Sequence, residues 1–116
     1  MSPLPLVVYV DVDETLVRNA GRARIPIPGA IQHVRELAAQ GAELYCWSSG
    51  GAAYARDSAR EVGLEELFTA FLPKPQVMLD DQPVGTWRRL VQVYPLACAG
   101  GSVETYRAAL SRGRLE

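Results

Sequence analysis

Leu6-Val7-Val8-Tyr9-Val10-Asp11-Val12-Asp13-Glu14-Thr15 is the stretch that decides how this chain folds. A continuous β-branched run that stops at acids reads as a strand buried on both faces of a parallel sheet. Working outward, the residues after Asp13 include Asn19, Gly21, Pro26 and Pro28 and read as irregular. Pro28-Gly29 then opens a run with apolar residues at Ala30, Ile31, Val34, Leu37 and Ala38, which is helical spacing, and Gly41 closes it. Residues 42–47 read as a second strand, followed by Ser48-Ser49-Gly50-Gly51 and a helix over 52–62 that Gly63 ends.

Further along, 64–67 is a short turn, 69–72 an apolar run, and 77–79 another that stops at Asp80-Asp81. Only four residues separate Leu72 from Val77, whereas parallel neighbours in a sheet need a crossover of about a dozen. Residues 69–72 are therefore expected as a very short edge strand and 73–76 as an extended link. Residues 90–94 are a candidate last strand, and 102–111 a helix with Ser102 as N-cap and Gly113 just past its end. Strands alternating with helices predict a single α/β domain over residues 1–116. Its expected form is a three-layer, Rossmann-like parallel sheet with helices on both faces.

A chain of 116 residues holds one hydrophobic core and not two. With 48% apolar and 22% charged residues it has the profile of a globular protein rather than a disordered one. The start, Met1-Ser2-Pro3-Leu4-Pro5, has no basic leader, and the apolar run after it is too short to span a bilayer, so a cytoplasmic location and no membrane partner are expected. A net charge of −1 argues against general nucleic-acid binding. Two cysteines, Cys46 and Cys98, suggest neither a disulfide framework nor a metal cluster. Eleven arginines stand against a single lysine, an imbalance that genomic base composition produces and that also makes Lys74 a candidate position for a required ammonium. Four of the five aspartates form two tight pairs, Asp11 with Asp13 and Asp80 with Asp81.

Ligands of parallel α/β sheets bind beyond the carboxyl ends of the strands. The residues there are Asp11, Ser48, nearby Lys74, and Asp80-Asp81. Three or more carboxylates at one sheet edge would repel strongly and call for a hard cation, for which Mg2+ is the natural candidate. A carboxylate at Asp11 can then attack phosphorus, while Asp13 protonates the leaving oxygen and later activates water. The hydroxyl of Ser48 and the backbone amides around Ser49 can hold phosphoryl oxygens at a helix start, and Lys74 can neutralise remaining charge.

These residues resemble the haloacid dehalogenase (HAD) superfamily. Its first motif, Asp-x-Asp-x-Thr after an apolar strand, is matched by Asp11-Val12-Asp13-Glu14-Thr15. Its second, a strand ending in Ser or Thr, is matched by Leu44-Tyr45-Cys46-Trp47-Ser48. Its lysine is matched by Lys74 and its fourth motif by Leu79-Asp80-Asp81. The resemblance spans roughly residues 6 to 81. It implies a magnesium-dependent phosphohydrolase acting on phosphate monoesters, with an aspartyl-phosphate on Asp11 and Asp13 as general acid/base. Ser48, Ser49 and Lys74 would hold the phosphoryl group. The metal would sit on Asp11, the Asp13 carbonyl and Asp80, with Asp81 acting through water or orienting Lys74. The sequence departs from the family where a helix is expected between lysine and fourth motif, since only residues 75–79 lie there.

Superfamily members often carry a cap domain. Here 36 residues separate Asp11 from Ser48 and 25 separate Ser48 from Lys74, which a flap, helices and strands already fill. A capless, open site is expected, and with it a macromolecular phosphorylated substrate or a homo-oligomer that covers the entrance. The alternative is a binding or regulatory module that retains the fold and metal site with weak turnover. A response-regulator receiver is disfavoured, because its acid pair precedes the phosphorylated aspartate. His33 is off the apolar stripe of its helix and is expected to face solvent. Trp47 and Trp87 read as packing residues, with Trp47 the better candidate for a substrate platform. Arg18, Arg22 and Arg24 suit either an anion-attracting loop or a solvated one.

Overall fold

A computed structural model describes residues 4–115. In chain order the elements are β1 (Val7–Val10), β2 (Val17–Ala20), β3 (Ala23–Pro26), α1 (Pro28–Ala39), β4 (Glu43–Ser48), α2 (Ala52–Glu61), β5 (Ala70–Pro73) and α3 (Val103–Leu115). Short 3-10 turns lie at Glu65–Leu67, Val84–Thr86 and Pro95–Ala97.

The three parallel strands lie in the order β1-β4-β5. Val7 pairs with Glu43 and Val10 with Cys46, and Ser48 pairs with Pro73 across the other side of β4. Burial along β4 alternates strictly: Leu44, Cys46 and Ser48 are buried, whereas Glu43, Tyr45 and Trp47 are half-buried. A strand covered on both faces would not alternate. The buried positions join Val10 of β1, Ala30, Val34 and Leu37 of α1, and Ala55 and Ala59 of α2 in one core. Both crossovers, β1-α1-β4 and β4-α2-β5, step across the sheet in the same direction, and connections of one hand then put both helices on one face. The expected α/β domain with a parallel sheet is present. Its helical layer covers one face, and Tyr9, Tyr45 and Trp47 line the other.

That layering follows from what the chain does after β5. The amide of Lys74 still bonds the Ser48 carbonyl at 2.9 Å, but Pro75 has no N–H to continue the ladder. Val77 and Leu79 are almost fully exposed, and the expected strand over 77–79 is not formed. No strand forms over 90–94 either, where Leu90, Val91, Val93 and Tyr94 are exposed. An apolar run becomes a strand only when a neighbour accepts its ladder bonds, and neither run has one.

The irregular stretch after Asp13 is a hairpin instead. β2 and β3 pair antiparallel from Val17 opposite Pro26 to Ala20 opposite Ala23. The two-residue connection puts Gly21 at φ +61°, a conformation a tight turn needs there and glycine adopts freely. α3 starts where expected, with Ser102 Oγ accepting the Thr105 amide at 3.1 Å, but it runs through Gly113 rather than ending before it. It packs beside α1: His33 and the Tyr106 hydroxyl are 2.7 Å apart, so His33 is half-buried and not solvent-facing as its place on the helical wheel predicted. No helix among the described residues is long and apolar enough to cross a membrane.

Candidate active site

The loop after β1 is built around Val12 and Leu16, both fully buried. The Val12 carbonyl collects the amides of Thr15, Leu16 and Val17 at 2.9–3.3 Å, and Glu14 returns its own amide to the Val17 carbonyl at 2.7 Å. This tight wrap forces Glu14 to φ +59°, which a residue with a Cβ adopts at a cost of about 1 kcal/mol or more. Such strain persists where surrounding packing over-determines it, here by the buried side chains of Val12 and Leu16, two positions to either side of Glu14. The result is that Asp11 and Asp13 emerge at the carboxyl end of the sheet while Val12 points inward.

β4 and β5 bring their own residues to the same end. Ser48 closes β4, and the Lys74 backbone is tied to it. From there the Lys74 ammonium reaches Asp11, with Nζ 3.2 Å from Oδ1, and lies 5.8 Å from the centre of the Trp47 ring. Thr15 Oγ1 donates to the other Asp11 oxygen at 3.5 Å, at the long limit of a hydrogen bond. The one lysine of the chain therefore meets the first acid of the first strand.

Asp13 is held differently. Its Oδ1 accepts the Tyr54 hydroxyl at 2.7 Å and the Asn19 side-chain amide at 2.9 Å. The Tyr54 bond first, then that of Asn19, hold its carboxyl below the ordinary 3.8, against a smaller opposing effect of burial. Tyr54 and Asn19 carry no sequence signal of their own: one is a tyrosine in the first turn of α2, the other an asparagine in a stretch that reads as loop. Arg24 belongs with them. Its guanidinium donates to the Tyr54 hydroxyl at 2.6 Å, to Ser58 Oγ at 2.9 Å and to Glu61 at 3.0 Å. It is thus neither a solvated loop residue nor a free anion attractor.

At the end of β4, the buried Ser48 hydroxyl accepts the Gly50 amide at 3.0 Å and keeps its own proton to donate. Neither Ser48 nor Ser49 caps α2; the cap position is Gly51, at φ +104°, and no side chain bonds the first amides of the helix. Ser49 is exposed. Gly50 has to be glycine for another reason, since a Cβ there would lie 2.9 Å from the Tyr54 ring. An uncapped helix start beside a serine hydroxyl is an anion-receptive geometry.

Asp80 and Asp81 are not part of this arrangement. Both are exposed, Asp80 Oδ1 accepts the Gln82 amide at 2.9 Å, and the two line a hollow of about 410 Å³ with Met78, Pro83 and Val84. A second hollow of similar size lies between Glu14, Arg18, Ile27, Tyr94 and Leu96. Neither includes Asp11, Asp13 or Lys74, and both of these acids are half-buried. Among the described residues no three carboxylate, histidine or cysteine groups gather where they could hold a metal ion. Asp11 and Asp13 are oxygen donors of the kind magnesium takes, an ion commonly held by one or two carboxylates together with water and substrate phosphate oxygens. Trp47 stands beside the site under Lys74, and Trp87 lies apart, its indole N–H donating to the Gln82 carbonyl at 3.4 Å.

A sequence model of the family described as "Protein of unknown function (DUF705)" matches residues 1–80, more than half of the chain and all of the residues that build the site above. No curated protein and no solved structure matches the chain. By the extent of that match, from the first strand to Asp80, the chain belongs to the DUF705 family.

Proposed function

We propose that the protein is a phosphohydrolase acting on phosphate monoesters, with Asp11 as nucleophile and Asp13 as general acid/base. The observation that carries this reading is the contact of Lys74 with Asp11 at 3.2 Å, because it sets the sole lysine against an acid whose neighbour two positions on is held by hydrogen bonds. A bound phosphoryl group would take over that ammonium, freeing Asp11 Oδ1 to attack.

In the first step an Asp11 oxygen bonds to phosphorus, the bond from phosphorus to the alcohol oxygen breaks, and that oxygen takes a proton from Asp13. In the second, Asp13 as carboxylate takes a proton from water. The water oxygen bonds to phosphorus, the bond to Asp11 breaks, and inorganic phosphate leaves. Asp13 rests as a carboxylate in this arrangement, and a phosphate dianion alongside favours its protonation before the first step. Lys74, the Ser48 hydroxyl and the amides from Ser49 onward bind and orient the phosphoryl oxygens.

Magnesium dependence is part of the proposal, with Asp80 and Asp81 joining Asp11 and the Asp13 carbonyl; when bound, the ion offsets charge on the phosphoryl oxygens. So is the three-layer, Rossmann-like form. It requires a second helical layer over the sheet face that Tyr9, Tyr45 and Trp47 line. The short spacings from Asp11 to Ser48 and from Ser48 to Lys74, which leave no room for a cap, favour a macromolecular phosphorylated substrate or a homo-oligomer that closes the entrance; the cytoplasm is its proposed setting.

A second reading, a binding or regulatory module that retains the fold without turnover, is favoured by the separation of Asp80 and Asp81 from Asp11. Hydrolysis of para-nitrophenyl phosphate separates the two. The phosphohydrolase turns it over, loses activity on chelation of magnesium, and loses at least about a thousandfold with Asp11→Asn, the size of effect expected for a nucleophile. Turnover that survives Asp11→Asn contradicts the proposal.

A further inference from the structure

Tyr54, Ser58 and Glu61 recur at helical spacing and form one stripe of α2 that faces β3. Arg24 on β3 matches the stripe donor by donor, with Nη1 on Tyr54, Nη2 on Ser58 and Nε on Glu61. Ser58 is 2% exposed, so one arm of this fork ends on a buried hydroxyl. If pinning the hairpin to α2 were all it did, the network could end at α2. Instead it continues: the Tyr54 hydroxyl accepts from Arg24 and donates to Asp13 Oδ1. A hydroxyl that accepts from a cation is a stronger donor onward, so the guanidinium charge is relayed to the carboxylate through one oxygen. Asn19 on β2 reaches the same Oδ1 from the hairpin side. Both bonds fall on one oxygen of Asp13, and among the described residues Oδ2 accepts none.

We propose that Tyr54, held by Arg24, is a positioning residue that fixes the Asp13 carboxyl by Oδ1 and thereby presents Oδ2 to the leaving-group oxygen. The inference rests on the phosphohydrolase reading, in which Asp13 exchanges protons with the leaving group and with water. It extends the working site beyond the acids to the hairpin and α2, and gives Gly50 a purpose: its missing Cβ is what lets the Tyr54 ring lie over the end of β4.

The test uses leaving groups that differ in their need for an acid. para-Nitrophenolate leaves without much help, whereas phenolate needs a proton, and kcat/KM covers every step up to departure. Tyr54→Phe removes the hydroxyl and keeps the ring, so KM should move by less than about twofold. Its loss in kcat/KM should be about tenfold larger with phenyl phosphate than with para-nitrophenyl phosphate, part of the range a general acid contributes. Arg24→Lys should show the same selectivity in weaker form. In an Asp13→Asn background Tyr54→Phe should add no further selectivity, because its effect passes through Asp13. Equal losses on the two substrates with an active wild type overturn the positioning role alone. Wild-type protein inactive on both substrates overturns the phosphohydrolase reading, and the positioning role with it. Thermal unfolding of each variant separates a folding loss from either outcome.

Discussion

Cys46 sits in β4 two residues before Ser48, fully buried, and burial first and the nearby Asp11 charge second push its thiol up to about 12. The thiolate is the reactive form, so in the folded protein at pH 8 Cys46 should stay unmodified by an alkylating reagent and react only after denaturation, as read by intact mass. Labelling of native Cys46 would mean that β4 is not packed as described. The same residue shows what was legible at this scale. An apolar run over 42–47 followed by serines and glycines marked the strand that carries Cys46 and the place where it ends. Asp11, Asp13 and Lys74 were legible too, because acids after a β-branched run and a solitary lysine among arginines are conspicuous. Tyr54, Asn19 and Arg24 were not. Tyr54 and Arg24 act through side-chain bonds that span 41 and 30 positions, and Asn19 reaches back six positions only because the hairpin folds there, so nothing local marks such partners.

Among elements, the α1–α3 contact is the one that pH should reach. Burial holds the His33 imidazole below its ordinary 6.5, with Glu36 opposing weakly, and its ring meets Tyr106 of α3. The unfolded chain therefore takes up a proton first. Stability should be highest above the unfolded value, fall as pH drops through 6.5 toward the folded value, and level off below that. Chemical denaturation at pH 8 and pH 5.5 should show the loss, and His33→Gln should reduce it; an unchanged difference in that variant would remove His33 as its cause. The bounds of α1 and α2 and the start of α3 were readable to within a residue or two from apolar spacing and closing glycines, but the end of α3 was not, since the helix runs through Gly113. The hairpin was not, since Pro26, Pro28 and a run of polar residues mask a two-residue turn at Gly21. The strands over 77–79 and 90–94 were over-read, because hydrophobicity names a candidate strand and only ladder bonds to a neighbouring strand make it one.

For the whole molecule, the one-sided helical layer predicts an asymmetry between sheet faces. Leu44 faces the helices and is buried, while Tyr9 on the other face is about half exposed. Leu44→Ala should cost about 2–5 kcal/mol and Tyr9→Ser about 1 kcal/mol or less, measured by denaturant midpoints. Comparable losses at both positions would indicate a layer over the aromatic face. Fold class was legible because alternation of strand and helix survives in the pattern of apolar residues. The number of layers was not, since it depends on which face of the sheet each helix covers, which no local pattern encodes. The central claim is that Asp11 takes the phosphoryl group covalently, and it can be read on the residue itself. Protein quenched in acid during turnover of para-nitrophenyl phosphate with magnesium and then reduced with borohydride should yield homoserine at position 11, the reduction product of an acyl phosphate, by peptide mass spectrometry. Turnover with unmodified Asp11, or with homoserine at another acid, would contradict the account.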